Sequence, residues 1–354
     1  MLEHELAKKL IQIKSITPSN NGCLELIQSY LNNFQPYYLH KDKTSNLFTK
    51  CTQGTRHFAF AGHIDVVPVS KNWSVSPFDG VIQDGYLYGR GTNDMKGAIA
   101  CFVAAFLEVK NHIDYSVSLL LTSDEEGDAT YGTREIIKFL TSINEKIDLC
   151  LIGEPTSKKK VGDHIKIGSR GSVNTRIRIR GKAGHVAYPN EAKNPIPIAL
   201  ELAQKLNEFV LDQGNDYFQP SNLEITSIDV GNTATNVIPS HVDIRFNIRF
   251  NDQHTHESLK KWITKIASPH ECHFTFCGIP YYSDLTLFKK IFGPIKQSTH
   301  GAASDGFIIK DLCPCFELGL FYNQAHQTDE RILLTDLTAL KEIYKNILLK
   351  FQTL

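Results

Sequence analysis

Three short segments, residues 58–61, 117–121 and 149–152, are almost continuously apolar and restrict the possible folds more than any other feature of the chain. Strands that are buried on both faces have this composition, as in a parallel sheet covered by helices. Helical patterns at 97–110 and 133–140 alternate with these segments, as is typical of an α/β layer. The sequence therefore predicts an α/β fold with a mixed, mostly parallel sheet and helices on both faces.

The middle of the chain has a different pattern. Apolar and polar residues alternate along 173–180 and 242–250, with several arginines among the polar ones. A period of two predicts half-exposed antiparallel strands, and helical patterns at 197–210 and 257–267 accompany them. The arginine-bearing faces are interpreted as solvated sheet faces, with an anionic partner as the alternative.

After residue 280 the α/β character returns and ends in a helical pattern at 336–351. We therefore expect a smaller α+β domain, with an antiparallel sheet, inserted into the larger α/β domain. The expected bounds are 1–170 and 281–354 for the larger domain and 171–280 for the insertion, with hinges near 169–171 and 278–280.

The balanced overall charge argues against a nucleic-acid-binding function. Lys plus Arg and Asp plus Glu both number 38, whereas a nucleic-acid-binding protein normally carries a basic field. We expect no membrane segment and no secretion signal, and therefore a cytoplasmic protein. The eight cysteines lie mostly in apolar segments and are expected to be reduced, with Cys313 and Cys315 structural.

Polar side chains of the metal-binding type are found in five segments, most of them directly after an apolar run. They are His63, Asp94, Glu125, Glu126, Glu154 and His326. In open α/β sheets, ligands bind outside the carboxyl ends of the strands, and a mixture of imidazoles and carboxylates suits zinc. Alone, His63 is better explained as an ordinary histidine and Glu125-Glu126 as a solvated turn. Together, the segments predict a site for two metal ions.

The residue types also suggest separate roles. Asp94 lies in a glycine-flanked turn and is the candidate bridging ligand, because a two-metal site needs a carboxylate shared by both ions. Asp65 is expected to accept the second imidazole N–H of His63. Since neighbouring side chains diverge in an extended chain, Glu126 can bind metal while Glu125 acts as a base toward water. This arrangement predicts metal-assisted hydrolysis of an amide.

At these residues the chain resembles the di-zinc aminoacylase/carboxypeptidase family over nearly its full length. That family includes glutamate carboxypeptidases, acetylornithine deacetylase and succinyl-diaminopimelate desuccinylase. Further segments at 162–172, 184–189, 193–197 and 235–239 resemble the desuccinylases in particular. The resemblance implies a catalytic domain of the zinc-peptidase type with an inserted domain for dimerisation and lid closure.

The resemblance also implies the ligand assignment. His63 and Glu154 would hold one zinc, Glu126 and His326 the other, and Asp94 would bridge them. It implies two Zn²⁺ per subunit, for which Co²⁺ or Mn²⁺ can substitute. Glu125 would be the general base and would later protonate the leaving amine.

Residues of the inserted domain, and Arg170 at its expected hinge, receive roles only from the resemblance. His185 would stabilise the oxyanion across the interface of a homodimer. Arg170, Tyr188 and Asn236 match positions that bind substrate carboxylates, a task that suits a guanidinium.

The chain departs from the desuccinylase pattern at several positions. Residues 302–307 lack the usual threonine and arginine, Ser169 replaces an arginine, and Tyr322 stands where an asparagine is expected. The leading hypothesis is removal of succinate from N-succinyl-LL-2,6-diaminopimelate, a small-molecule substrate in lysine and diaminopimelate synthesis. The alternatives are an acetylornithine-deacetylase-like or other acylamino-acid deacylase or carboxypeptidase, and a non-catalytic binding protein of the same fold.

Overall fold

The computed structural model describes residues 1–293, 295–301 and 303–353. The α-helices are α1 (Leu2–Ile11), α2 (Cys23–Tyr30), α3 (Lys96–Val109), α4 (Thr133–Ser142), α5 (Ile196–Glu208), α6 (His256–Ala267), α7 (Lys289–Phe292), α8 (Gly306–Ile309) and α9 (Leu334–Phe351). Short 3₁₀ turns lie at Pro189–Glu191, Thr286–Phe288 and Tyr322–Gln324. Within the described residues, no helix combines the length and the apolar composition needed to span a membrane.

The longest described strands, of ten residues each, lie in the middle of the chain. They are β1 (Gln35–Lys41), β2 (Thr44–Cys51), β3 (His57–His63), β4 (Val81–Gln83), β5 (Tyr86–Tyr88), β6 (Ser116–Thr122), β7 (Leu149–Ile152), β8 (His164–Lys166), β9 (Gly168–Ser169), β10 (Gly171–Arg180), β11 (Gly184–His185), β12 (Asn222–Asp229), β13 (Val237–Ile238), β14 (His241–Phe250), β15 (Glu271–Cys277), β16 (Tyr281–Tyr282), β17 (Lys296–Ser298), β18 (Cys315–Glu317) and β19 (Arg331–Leu333).

The described residues form two compact units, Met1–Gly168, Ser283–Ser298 and Ser304–Leu354 in the first, and Ser169–Tyr282 with Thr299–Ala303 in the second. The expected insertion, residues 171–280, is two residues shorter at each end than the segment Ser169–Tyr282 of the second unit. Thr299–Ala303 had been expected in the larger domain. It groups with the second unit, where the Thr299 hydroxyl donates a hydrogen bond of 2.6 Å to the carbonyl of Tyr217.

The first unit is built on a sheet of eight described strands in the order β1-β2-β6-β3-β7-β18-β8-β17. The central strands β6, β3, β7 and β18 are mutually parallel. At one edge β2 is antiparallel to β6, and β1 is antiparallel to β2. Every residue of β3, β6 and β7 is buried, so both faces of the sheet centre are covered. This confirms the predicted α/β class and explains why these strands are continuously apolar.

Aromatic packing joins the sheet to the helix that follows the Asp94 turn. The ring of Phe60 in β3 stacks on Phe102 of α3 with a centroid distance of 4.3 Å, and Tyr344 of α9 meets the same two rings edge-on at 6.0 Å. Offset-stacked and edge-to-face pairs are the favoured arrangements of buried rings. This packing holds α3 against the sheet, and the backbone N–H of His63 at the end of β3 lies 3.4 Å from the sulfur of Met95, the residue before α3.

A small three-stranded sheet, β19-β5-β4, brings together two distant parts of the first unit. Tyr88 at the end of β5 lies opposite Arg331 at the start of β19. The loop that follows β5 and the loop that precedes β19 are therefore neighbours. These two loops carry Asp94 and His326.

The second unit contains an antiparallel sheet in the order β12-β14-β10-β15, and α5 and α6 contribute to its separate hydrophobic core. The predicted period of two is confirmed, since β10 pairs with β14 along ten residues, from Gly171 opposite Phe250 to Arg180 opposite His241. A Cβ at position 171 would lie 2.4 Å from the Phe250 ring, so only glycine fits there.

Acidic neighbours neutralise part of the arginine-bearing face of this sheet. Arg178 donates two hydrogen bonds, of 2.7 and 2.6 Å, to the Asp243 carboxylate, and Arg180 pairs with Glu271 at 3.1 Å. These pairs favour the solvated-face interpretation over an anionic partner.

All eight cysteines are free thiols, and Cys313 and Cys315 are buried. This agrees with the expectation that they are structural.

Candidate metal centre

The predicted ligands of the first unit come from the carboxyl edge of the sheet and from the two loops joined by β5 and β19. His63 is the last residue of β3, and Glu154 follows β7 by two residues. Glu126 lies in the turn after β6. Because the carboxyl ends of parallel strands meet at one edge, the side chains of residues from separate parts of the chain converge there.

One group of side chains forms around His63. Its Nε2 atom lies 3.1 Å from an Asp94 oxygen, Oδ1, and 3.5 Å from a Glu154 oxygen. One ligand atom from each of these three residues lies within 4.8 Å of the others. This spacing suits one metal ion held by one nitrogen and two oxygens.

A second group forms around His326. Its Nε2 atom lies 2.9 Å from a Glu126 oxygen and 3.3 Å from the other Asp94 oxygen, Oδ2. Asp94 therefore turns one oxygen to each imidazole and belongs to both groups. A carboxylate shared in this way is the geometry expected of a bridging ligand between two metal ions.

The orientation of the His63 ring tests whether these residues fit a cation. Its Nδ1 atom lies 2.9 Å from the backbone carbonyl of Asp65 and must donate, because a carbonyl oxygen only accepts. A neutral ring then turns the lone pair of Nε2 toward carboxylate oxygens, which is unfavourable unless a proton or metal ion lies between them. The donor set therefore fits a divalent cation.

Asp65 contributes differently from the expectation. The prediction gave its carboxylate to the second N–H of His63, but that oxygen is 3.7 Å from Nδ1, and the carbonyl oxygen of the same residue takes the N–H instead. The carboxylate accepts backbone N–H groups from Glu125 at 3.2 Å and Glu126 at 3.1 Å. Asp65 is fully buried, and its carboxylate holds the turn that presents both glutamates.

The charges in the cluster shift its protonation equilibria. Hydrogen bonds to Asp94 and Glu126 raise the pKa of His326 to about 10. Burial, together with the Asp94 charge, raises the pKa of Glu154 to about 7. Burial opposes ionisation of Asp94, but hydrogen bonds from His326 and His63 outweigh it and lower the pKa of Asp94. Such opposed shifts are typical of functional sites.

Glu125 lies beside both groups without belonging to either. Burial raises the pKa of its carboxyl well above the usual value, and the neighbouring Glu154 charge adds to this effect. A carboxyl group with a raised pKa holds a proton more readily than an ordinary glutamate, which suits a group that takes up and returns a proton.

Three buried residues around the centre were missed by the sequence analysis. Arg90 and Glu330 form an ion pair with an N–O distance of 2.8 Å, and Asp305 accepts a hydrogen bond of 2.6 Å from Thr133. Burial raises the pKa of Asp305 to about 6. No local sequence pattern distinguishes Glu330 from a glutamate in a solvated turn. Arg90, which lies between two glycines before Asp94, is a weak signal of a structured loop.

The remaining predicted site residues lie in the second unit. His185 is exposed and pairs with Val237 in the two-stranded sheet β11-β13. Its Nδ1 atom accepts the backbone N–H of Ala187 at 3.1 Å, so its Nε2 carries the proton in the neutral ring. Tyr188 is exposed, with its ring centroid 5.9 Å from that of His185.

Arg170 and Asn236 also lie in the second unit. The Arg170 guanidinium donates hydrogen bonds of 2.8 Å to the Pro220 carbonyl and to the Asn222 side chain. Both acceptors are neutral, so its charge remains available to an anion. The backbone carbonyl of Asn236 accepts the N–H of Val186 at 3.1 Å, which holds Asn236 next to the His185 strand.

The positions that depart from the desuccinylase pattern have mixed surroundings. Ala302 lies outside the described residues. Ser304, which matches the pattern, is buried and donates a hydrogen bond of 2.5 Å to Glu317. The Phe307 ring centroid lies 5.2 Å from the Arg134 guanidinium. Ser169 is buried and Tyr322 is half exposed.

Comparison with known proteins identifies the family. A family model described as Peptidase family M20/M25/M40 matches residues 59–350, which is most of the chain. The chain belongs to peptidase family M20/M25/M40. The match confirms the family resemblance that the motifs indicated.

Individual members of family M20/M25/M40 support the same placement. A protein named succinyl-diaminopimelate desuccinylase from Ehrlichia canis is 43% identical, over 98% of this chain and 97% of its own. Among solved structures, a metallo-carboxypeptidase of family M20 from Sulfolobus solfataricus has a TM-score of 0.79 at 17% identity, covering 99% of both chains. A dinuclear metal-binding peptidase of the family from Bacillus subtilis has a TM-score of 0.70 at 13% identity, covering 99% of this chain and 97% of its own. These structural likenesses extend the fold to the whole described chain.

Proposed function

We propose that this protein is a succinyl-diaminopimelate desuccinylase, which hydrolyses N-succinyl-LL-2,6-diaminopimelate to LL-2,6-diaminopimelate and succinate. The observation that carries the proposal is the likeness to the Ehrlichia canis protein of that name, at 43% identity over nearly the full length of both chains. The candidate metal centre supports it, because its donor set suits metal-assisted hydrolysis of an amide.

We propose two Zn²⁺ per subunit, with Co²⁺ or Mn²⁺ able to substitute. His63 and Glu154 would hold one ion, Glu126 and His326 the other, and Asp94 both. When bound, the metal pair would lower the pKa of water to about 7 and polarise the scissile carbonyl.

Glu125 is the proposed general base. It would accept the proton of the attacking water and deliver that proton to the amide nitrogen as the bond to the succinyl carbonyl carbon breaks. Its raised pKa supports this role, since a base must hold the proton between the two steps. A positioned base typically contributes about 10²–10⁴ in rate.

We further propose a homodimer formed through the inserted domain, in which His185 of one subunit donates a hydrogen bond to the oxyanion in the other subunit. The protonated Nε2 that follows from the Ala187 contact supports the donor role. Leu200 of α5 and Ile228 of the edge strand β12 are exposed apolar residues of this domain, and exposed apolar side chains on an edge favour association.

Arg170, Tyr188 and Asn236 are the proposed contacts to the carboxylates of the substrate. A guanidinium that donates only to neutral acceptors within its own unit is suited to an anionic group. We also propose that the enzyme works in the cytoplasm, because its eight cysteines are free thiols, which oxidising compartments rarely preserve.

A same-family acylamino-acid deacylase or carboxypeptidase is the second candidate, favoured by Phe307 and Tyr322 at positions where the desuccinylases have other residues. The test is turnover by the zinc-loaded protein of N-succinyl-LL-2,6-diaminopimelate, N-acetylornithine and a dipeptide in parallel. We expect the succinyl compound to have the highest kcat/KM by at least about tenfold. Turnover of either competitor with none of the succinyl compound would refute the substrate assignment.

A further inference from the structure

Glu330 is completely buried, and the chain around Asp94 is wrapped about its carboxylate. One oxygen accepts the backbone N–H of Asn93 at 2.8 Å and of Asp94 at 3.3 Å, and the other accepts the N–H of Gly91 at 3.0 Å. Three backbone donors on one carboxylate fix the course of this loop. They therefore fix the position from which Asp94 reaches both groups of the candidate metal centre.

Arg90 connects this carboxylate to the loop of His326. Its Nη1 atom donates to Glu330 at 2.8 Å and to the carbonyl of Gln327 at 3.2 Å. Its Nη2 atom donates to the carbonyl of His326 itself at 3.3 Å. The guanidinium is buried, with the Trp73 ring centroid 5.3 Å away.

A buried ion pair of this kind is a costly way to join two loops. Removing two charges from water is unfavourable, and their attraction offsets this only when additional hydrogen bonds satisfy both groups. Here most of the additional bonds go to the backbone of the two ligand-bearing loops. The Thr92 hydroxyl, which also donates to Glu330 at 3.4 Å, belongs to the Asp94 loop itself. The pair is thus arranged to set the distance between Asp94 and His326.

We propose that Arg90 and Glu330 are positioning residues that hold the second group, Asp94, Glu126 and His326, in the shape required to bind metal. The inference rests on the proposed two-metal function and deepens it. Arg90 acts through the His326 loop, which belongs only to the second group. Glu330 acts through the Asp94 loop, which belongs to both groups.

This division gives each variant its own signature. Arg90→Lys keeps a positive charge beside Glu330 but loses the planar fork that reaches the His326 carbonyl. Binding of the second metal equivalent, the ion held by Asp94, Glu126 and His326, should weaken by about 10–100-fold, the usual effect of losing a contact behind a ligand. Binding of the first equivalent, the ion held by the group around His63, should be unchanged. Glu330→Gln places an amide NH₂ against backbone N–H donors of the Asp94 loop. Because Asp94 belongs to both groups, the affinity for both metal equivalents should fall.

Arg56→Lys is a matched control. The Arg56 guanidinium also donates to two backbone carbonyls, those of Phe351 and Gln352, at 3.0 and 2.6 Å, but it contacts no predicted ligand. This variant should retain both equivalents with wild-type affinity, even where its melting temperature falls as much as that of Arg90→Lys.

The experiment equilibrates each metal-free protein with zinc at buffered free concentrations and measures bound metal by elemental analysis. The absorption spectrum of the Co²⁺-loaded protein then reports the geometry of each equivalent. Circular dichroism establishes that each variant is folded, and Arg90→Lys carries the test if Glu330→Gln does not fold.

Wild-type affinity for both equivalents in folded Arg90→Lys would overturn the inference, as would an equal weakening of both equivalents in that variant. A wild-type protein that binds two metal ions and does not hydrolyse the succinyl compound would refute the proposed substrate and leave this inference standing.

Discussion

The Nδ1 atom of His63 lies 2.9 Å from the backbone carbonyl oxygen of Asp65, whereas the nearer carboxylate oxygen of the same residue lies 3.7 Å away. The ring is therefore oriented by main chain. The carboxylate is left to accept the backbone N–H groups of Glu125 and Glu126. One residue thus supports a ligand through its backbone and the proposed base through its side chain.

The first prediction follows from this division. Asp65→Asn should lower kcat by about 10–100-fold, because an amide cannot accept equally at both atoms and the turn carrying Glu125 loosens. The metal equivalent held by His63 should be retained, since the carbonyl of residue 65 is still present. Steady-state kinetics and metal content measure the two effects, and loss of that equivalent would show that the carboxylate orients the ring after all.

The second prediction compares the two adjacent glutamates. Glu125→Gln should lose about 10²–10⁴ in kcat while still binding two metal ions, because it removes only the proton acceptor. Glu126→Gln should lose affinity for the second equivalent, because Glu126 lies 2.9 Å from His326. Turnover and metal content measured on both variants separate the roles, and the same behaviour in both would contradict them. A non-catalytic binding protein would instead show no turnover to lose.

Much of the fold could be predicted because its core strands are unambiguous. Continuous apolar runs predicted β3, β6 and β7, and the period of two predicted β10 and β14. The strands β4, β5 and β19 were missed, since three residues are too few to show any period. Yet this small sheet makes neighbours of the Asp94 and His326 loops.

The residues of the candidate site were also predicted only in part. The six predicted side chains, most of which follow apolar runs in the sequence, lie close together in the first unit. Their roles as metal ligands and base remain predictions. Glu330 could not be predicted, because its hydrogen-bond partners Gly91 and Asn93 lie 239 and 237 positions away. The Asp65 carboxylate was assigned to the wrong donor, since sequence spacing does not tell a carbonyl oxygen from a carboxylate oxygen.

The third prediction concerns pH. The pKa of His326 in the metal-free protein is raised to about 10, so the ring carries a proton at pH 7, and a metal ion binds only the neutral ring. Metal binding should therefore release protons, and affinity should rise with pH by up to about tenfold per pH unit for each proton released.

Calorimetric titration with zinc in buffers of different ionisation enthalpy counts these protons. His326→Asn offers the comparison, since it should release about one proton fewer at pH 7. An unchanged count would show that the His326 proton is not displaced by the metal.

The fourth prediction concerns assembly. If His185 acts across a dimer interface, a Glu125→Gln subunit with an intact His185 can complete the site of a His185→Ala subunit that keeps Glu125. Each variant alone should be nearly inactive, and mixed dimers should recover part of the wild-type turnover, because one of their two sites has both residues. Mixed dimers isolated by two different affinity tags provide the measurement.

In the control, a Lys341→Met subunit takes the place of the His185→Ala subunit. Lys341 pairs with Glu108 in the first unit, so the Lys341→Met variant should keep its turnover when measured alone. Mixed dimers with no recovered activity would mean that each active site is built from a single chain, because the second subunit would then contribute nothing that the first lacks.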